Sequence, residues 1–320
     1  MVRLPVLPAS IARMAVRIAL VAGASRGLGL LICRDLLARG FTVVGCARDA
    51  QELTDAEHRL AAPGRFSTRV CDVRDSDAVA RMVEEVLAEH GDIDVAITVA
   101  GIIQAGPAES MTLEHFRDAV DTMLWGPVHV AWAVLPAMRS RGAGRIGTVT
   151  SIGGVVSPPH LLPYATAKFG AVGFSDGLAA SLAGTGVTAT TVVPGLMRTG
   201  SHERALFTGE ATREYAWFAP SASLPLVSMD ADRAASRIVR GVLAGRPLVT
   251  LTPLAKVGIR VRGLMPATTT RAMGLLNRAL PDGTDSETIE GREAERRLDS
   301  KVVRLLTTLG TRAAGSNNER

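Results

Sequence analysis

The sequence predicts an α/β fold: a doubly wound parallel sheet of seven strands with a helical C-terminal extension. Short apolar runs alternate with helical periodicity from residue 16 to 251. The first run opens into a glycine-rich turn and then a helix. Aromatic residues are only 4% against 47% hydrophobic, and Ala, Val, Leu and Gly dominate, as suits strands covered on both faces by helices.

In chain order, residues 1–15 read as an N-terminal arm. Pro5 and Pro8 interrupt any apolar leader, and Met14 is an alternative start. Residues 18–22 form the first strand. Gly23-Ala24-Ser25-Arg26-Gly27-Leu28-Gly29 follows, and Gly40 ends the helix after it. Such glycines let backbone approach a pyrophosphate, whose charge then meets the helix N-terminus. The spacing is GxxxGxG, not the generic GxGxxG. Residues 41–46 are the next strand. Arg48 stands just past the position where an acidic residue would hold the ribose hydroxyls of NAD. With Arg26 it could clamp a 2′-phosphate, so NADP(H) is preferred. NAD(H) stays open, because Asp49 could serve a ribose.

Strands follow at 66–71, ending at Asp72-Val73, and at 95–99, ending at Ala100-Gly101. A helix covers 76–90, and two more, broken near Gly126-Pro127, cover 113–139. The uncharged run 122–138 falls short of a membrane span and reads as buried helix. Residues 145–150 are a strand delivering Ser151. A helix over 164–183 and a strand over 188–193, ending at Pro194-Gly195, complete the alternation. Residues 230–243 are helical and 247–251 are the seventh strand. Ligands of such sheets bind outside the strand C-termini, where Asp72, Ala100, Ser151 and Gly195 all fall.

Tyr164 and Lys168 are spaced i,i+4, so one helix face carries both. An ammonium near a phenol favours phenolate and lowers a pKa that starts near ~10. Such a Tyr can exchange a proton with a carbonyl or alcohol oxygen, while a nearby Ser hydroxyl hydrogen-bonds the same oxygen. A motif this short recurs by chance, and the other features decide.

Together, GASRGLG, Asp72-Val73, Ala100-Gly101, Ser151, Tyr164-x3-Lys168 and Pro194-Gly195-x3-Thr199 resemble the short-chain dehydrogenase/reductases over about residues 16–250. The resemblance implies a Rossmann-like catalytic domain over 16–251, with a substrate lid at about 200–228. It implies Tyr164 as general acid/base, Lys168 lowering its pKa and holding the nicotinamide ribose, and Ser151 orienting the substrate carbonyl. Cofactor contacts would come from Gly23, Ser25, Arg26, Gly27, Leu28, Gly29, Arg48, Asp72, Val73, Ala100, Gly101, Pro194, Gly195, Leu196 and Thr199, besides Tyr164 and Lys168. Two departures stand out. Thr98-Val99 replaces the usual Asn-Asn, and Met123 replaces an Asn that helps position a water in many relatives.

Phe207, Tyr215, Trp217 and Phe218 concentrate four of the chain's twelve aromatics in one segment. They read as an apolar lid, with Phe207 and Trp217 touching substrate, or as ordinary packing. From 233 to 281 there are nine Lys or Arg and no Asp or Glu. Residues 252–310 form a basic, helical extension, with two short amphipathic helices over 252–281. Leu254, Val257, Val261, Leu264 and Met265 share one face. That face suits a membrane surface, a lid or subunit contact, or packing on its own domain. Residues 285–309 read as helical and 311–320 as a disordered tail.

Net charge is +5, which a phosphate-bearing cofactor explains as well as nucleic acid or membrane does. No nucleic-acid motif and no metal cluster occurs, and Cys33, Cys46 and Cys71 read as reduced core residues of a cytosolic protein. The function expected is NADP(H)-dependent interconversion of a ketone and a secondary alcohol on a hydrophobic substrate. The rival, motivated by Met123, is a catalytically impaired dinucleotide sensor or scaffold. The family's habit of pairing its two long helices predicts a homodimer or homotetramer.

Overall fold

The computed structural model describes residues 16–225 and 228–319. The expected arm at 1–15 lies outside them, as do residues 226–227 of the expected lid. The central sheet holds β1 (Arg17–Ala22), β2 (Phe41–Ala47), β3 (Phe66–Val70), β4 (Val95–Thr98), β5 (Gly144–Val149), β6 (Val187–Val193) and β7 (Leu248–Thr250). Its order is β7-β6-β5-β4-β1-β2-β3, and every pairing is parallel. The chain winds one way from β1 to β3 and then crosses to β4. The switch point therefore lies between β1 and β4, beside the glycine turn.

Helices α1 (Gly27–Ala38) and α8 (Ala231–Leu243) cover one face. Their Ile32, Leu36, Ile238 and Val242 pack on Val21, Val43 and Ile97. Helices α3 (Ser76–His90), α5 (Gly126–Arg141) and α6 (Leu162–Ser181) cover the other face. Each wholly buried Leu, Ile or Val contributes about 1.5–3 kcal/mol, so this double coverage supplies most of the fold's driving force. Asp49 and Asp75 cap α2 (Ala50–Leu60) and α3 by accepting hydrogen bonds from the first-turn amides. Asp49 thus serves helix α2.

The expected break in the helix after α4 (Leu113–Val120) falls slightly earlier than Gly126-Pro127. It is a single π turn over Asp121–Trp125, holding Met123.

The region after β6 is a packed layer. Helix α7 (Ala211–Ser223) brings Tyr215 and Phe218 against Phe207, with ring centroids 5.7 Å apart in edge-to-face geometry. Ala105, Ala205 and Ala294 complete this small core. A three-stranded patch joins residues 104–105, 206–207 and 289–290.

The extension departs from expectation at both ends. Residues 285–288 are not helical. Helices cover Gly291–Leu298 (α11) and Lys301–Ser316 (α12), both packed on α7. The tail at 311–320, expected to be disordered, is helical through Ser316, and residues 317–319 are buried. Tertiary contacts made far away in sequence, not local propensity, order it. Between β7 and α11, the expected pair of short helices forms as α9 (Pro253–Leu264) and α10 (Pro266–Asn277).

Candidate active site

The turn after β1 is tight enough to exclude side chains. Gly23 adopts φ +90°, and a Cβ there would lie 2.5 Å from the Ala100 nitrogen. A Cβ on Gly29 would overlap the Gly23 carbonyl. The Ala100 N–H donates to Ala22 at 3.0 Å, which lays Ala100-Gly101 beside this turn. Met123 then packs under Gly101, its Sδ 3.4 Å from where a Cβ would stand.

Two backbone bonds tie the ends of β5 and β6 together. Thr150 N–H donates to Val192 and Ile152 N–H to Pro194, both at 2.8 Å. Ser151 is therefore held beside Pro194-Gly195-Leu196. Its Oγ accepts from the Gly153 N–H at 3.0 Å, and a Cβ on Gly153 would lie 3.4 Å from that Oγ and 3.0 Å from the Tyr164 ring, so the two side chains stand together. Lys168 is buried one turn along α6. Its Nζ donates to the Val149 carbonyl at 2.9 Å and lies 5.9 Å from the Tyr164 ring centre.

Burial pushes the Tyr164 phenol up, against the opposing pull of the Ser151 hydrogen bond. Burial pushes the Lys168 ammonium down to about 8. The lowered phenol pKa read from YxxxK is thus reversed here: desolvation acts on both groups, and Lys168 spends a hydrogen bond on a carbonyl rather than on Tyr164.

The expected cofactor residues gather at one edge of the sheet. Asp72 and Val73 follow β3. Burial opposes the Asp72 charge, but hydrogen bonds from Arg74 and the charge of Arg48 outweigh it and hold the carboxyl below its usual range. Arg48 is exposed beside it. Ser25, Gly27, Leu28 and Thr199 are buried. Arg26 bonds Glu52 at 2.5 Å, and Ser25 Oγ donates to Glu52 at 3.0 Å. Glu52 is a residue that sequence reasoning missed; its D-x-x-E spacing from Asp49 signals only a helix start.

The two aromatic residues expected to touch substrate are differently placed. Phe207 is wholly buried in the core around α7, which speaks against a direct substrate contact. Trp217 is half-buried and donates to Glu214 at 2.8 Å. Tyr164 packs against a small cluster of Ala119, Met123 and Ala167, which Ile102 and Val120 also border.

The glycine turn, the adjoining helix N-terminus and Arg26 fit the phosphates of a dinucleotide. An anion already stands on that cradle: the Glu319 carboxylate lies directly against Gly27, 3.3 Å from Arg26. Sheet, switch point and cradle define the dinucleotide-binding α/β class.

Comparison with known proteins narrows this. The family model described as short chain dehydrogenase matches residues 17–206. A putative ketoacyl reductase of Streptomyces coelicolor is 37% identical over 185 residues, 57% of this chain and 71% of that one. The 3-oxoacyl-acyl-carrier-protein reductase of Escherichia coli is 34% identical over 183 residues, 57% of this chain and 74% of that one. Among solved structures, a short-chain dehydrogenase from Streptomyces avermitilis superposes with TM-score 0.70 at 28% identity, covering 82% of this chain and 98% of that one. A variant of actinorhodin polyketide ketoreductase with NADPH gives 0.65 at 30% identity, covering 74% and 95%. The chain belongs to the short-chain dehydrogenase/reductase family, NAD(P)-dependent oxidoreductases acting on CH–OH and C=O groups.

Proposed function

We propose that the protein is an NADP(H)-dependent ketoreductase acting on a hydrophobic ketone or its secondary alcohol, with Tyr164 as general acid/base. The observation that carries this reading is Tyr164 standing beside Ser151 at the end of β5, with Lys168 buried one turn on. The bound nicotinamide supplies or accepts the hydride at the carbonyl carbon. In reduction, Tyr164 gives its hydroxyl proton to the carbonyl oxygen as charge develops there. Ser151 holds the same oxygen. Lys168 keeps a positive charge near the phenol and offers hydrogens to the ribose. In oxidation the proton runs the other way. The relatives named as ketoacyl reductases support a ketone on an apolar chain.

The phosphate preference rests on Arg48, exposed beside Asp72, and on Arg26. Glu52 pairs with Arg26 and works against it. One charge-assisted contact of about 1.5–3 kcal/mol gives on the order of 10–100-fold preference for NADPH over NADH.

No helix among the described residues is long and apolar enough to cross a membrane. We place the protein in the cytoplasm as a homodimer or homotetramer, with α9 and α10 resting on anionic membrane.

The test is cofactor oxidation with a panel of hydrophobic 3-oxo compounds, NADPH and NADH side by side. Tyr164→Phe should cut turnover about 10²–10⁴-fold with cofactor binding retained. A variant as active as wild type removes Tyr164 from the chemistry. Equal affinity for the two cofactors removes the NADPH preference. Binding without any turnover favours the sensor reading.

A further inference from the structure

Residues 317–319 lie across the turn at 23–29 instead of extending into solvent. Asn317 bridges this turn and the segment after β6. The Gly27 N–H donates to the Asn317 carbonyl at 2.7 Å, and Asn317 Nδ2 donates to the Thr199 carbonyl at 3.1 Å. Asn318 takes a left-handed backbone, φ 61°, which Asn tolerates better than most residues. Its Nδ2 donates to the carbonyls of Ser25 and Glu52, at 2.9 and 3.1 Å, and its Oδ1 accepts from Arg59 at 3.1 Å. The Glu319 carbonyl accepts from Arg204 at 3.0 Å and Arg292 at 2.9 Å, while its carboxylate meets Gly27 and Arg26.

Gly27 and Thr199 are both expected cofactor contacts, and Asn317 joins them. Glu319 puts its carboxyl group where a pyrophosphate would sit. The Gly27 N–H given to Asn317 and the space filled by Glu319 cannot at the same time serve a pyrophosphate.

We propose that residues 317–319 are an in-chain ligand of the dinucleotide seat, so that cofactor and tail bind in competition. This rests on reading the turn at 23–29 as the cofactor's phosphate site. The tail holds the seat when docked, and only the undocked fraction accepts cofactor. Apparent affinity is then reduced by that fraction.

Burial pushes the Glu319 carboxyl up to about 7, against the charges of Arg26 and Arg204 and together with those of Glu52 and Glu203. Arg292, from α11, contacts its backbone. A docked acid with a raised pKa binds its proton more tightly than a free one. Docking is therefore strongest below the ordinary carboxylate range and weakens as pH rises through it to about 7.

The experiment measures NADPH affinity by calorimetry for the full chain, for full-length Asn318→Ala/Glu319→Ala, and for a chain ending at Ser316. Both altered proteins should bind at least about tenfold more tightly at pH 6. The full chain should gain affinity between pH 5 and 7, and Glu319→Gln should lose that dependence. Hydrogen exchange on the unaltered protein gives a second reading: saturating NADPH should release protection at 317–319. Unchanged or weaker affinity in the variants overturns the competition and leaves the cofactor reading standing. So does a tail more protected with NADPH than without it, which would make the segment a wall of the site. Failure of every form to bind NADPH or NADH overturns the cofactor reading and the competition with it.

Discussion

Lys168 governs the pH behaviour expected of the site. Its ammonium is buried, which lowers its pKa to about 8. Below that value it is charged and supports proton transfer from Tyr164; above it the charge is lost. The phenol itself is pushed up and stays protonated across the same range. For reduction, kcat/KM reports the free enzyme's groups and should bend downward above about pH 8, far below a solvated lysine at ~10.4. A profile level to pH 10 would show that the Lys168 charge plays no part. Met123 departs from the Asn of many relatives for a visible packing reason: it is buried against Gly101 and Tyr164 and fills apolar space with no polar group.

Among the elements, α9 and α10 are arranged inside out. Small residues face the domain: Ala255 is buried, and Gly258 lies over Ile152 and Val156, next to Ser151. The large ones face away, with Leu254 63%, Val257 56% and Leu264 84% exposed, followed by Leu275 at 64%. Lys256, Arg260, Arg262, Arg271 and Arg278 accompany them, with no acidic residue between 252 and 281. The apolar face that the sequence required to be buried is thus not covered by its own domain. On an anionic bilayer each basic residue contributes about 1 kcal/mol, besides the apolar burial. The protein should co-sediment with phosphatidylserine vesicles, release as salt rises, and lose this on replacement of Leu254, Val257 and Leu264 by Ser. Equal binding by both forms, or binding by neither, would rule out the membrane and leave a protein partner for this face.

For the whole molecule, the sheet order sets which helices remain open. Helices α5 and α6 lie on the face of the sheet opposite α1 and α8, and their outer sides carry Trp132 at 61% and Phe169 at 38% exposure. Large rings exposed on adjacent helices are the surface a second copy would cover. Sedimentation at micromolar concentration should give a dimer or tetramer, and Trp132→Glu should shift it toward monomer. A wild-type monomer would show that these rings face solvent. The extension does not cover them: α11 and α12 pack on α7 instead.

The sequence determined the seven strands, the order of helices among them, and the edge at which Ser151, Tyr164, Lys168 and the glycine turn converge. Those features follow from local rules. Strand and helix differ in apolar period, YxxxK fixes one helix face, and GxxxGxG fixes a backbone only glycine allows. The tertiary structure decided what local rules do not reach. Phe207 became core because α7 and α11 close over it. The phenol was raised because burial depends on everything packed around Tyr164. The tail was the largest reversal: its composition reads as disordered, yet Asn318 bonds Ser25, 293 positions earlier. Such a contact leaves no periodicity in the chain, because its two halves share neither a helix nor a strand and meet only after the sheet has formed.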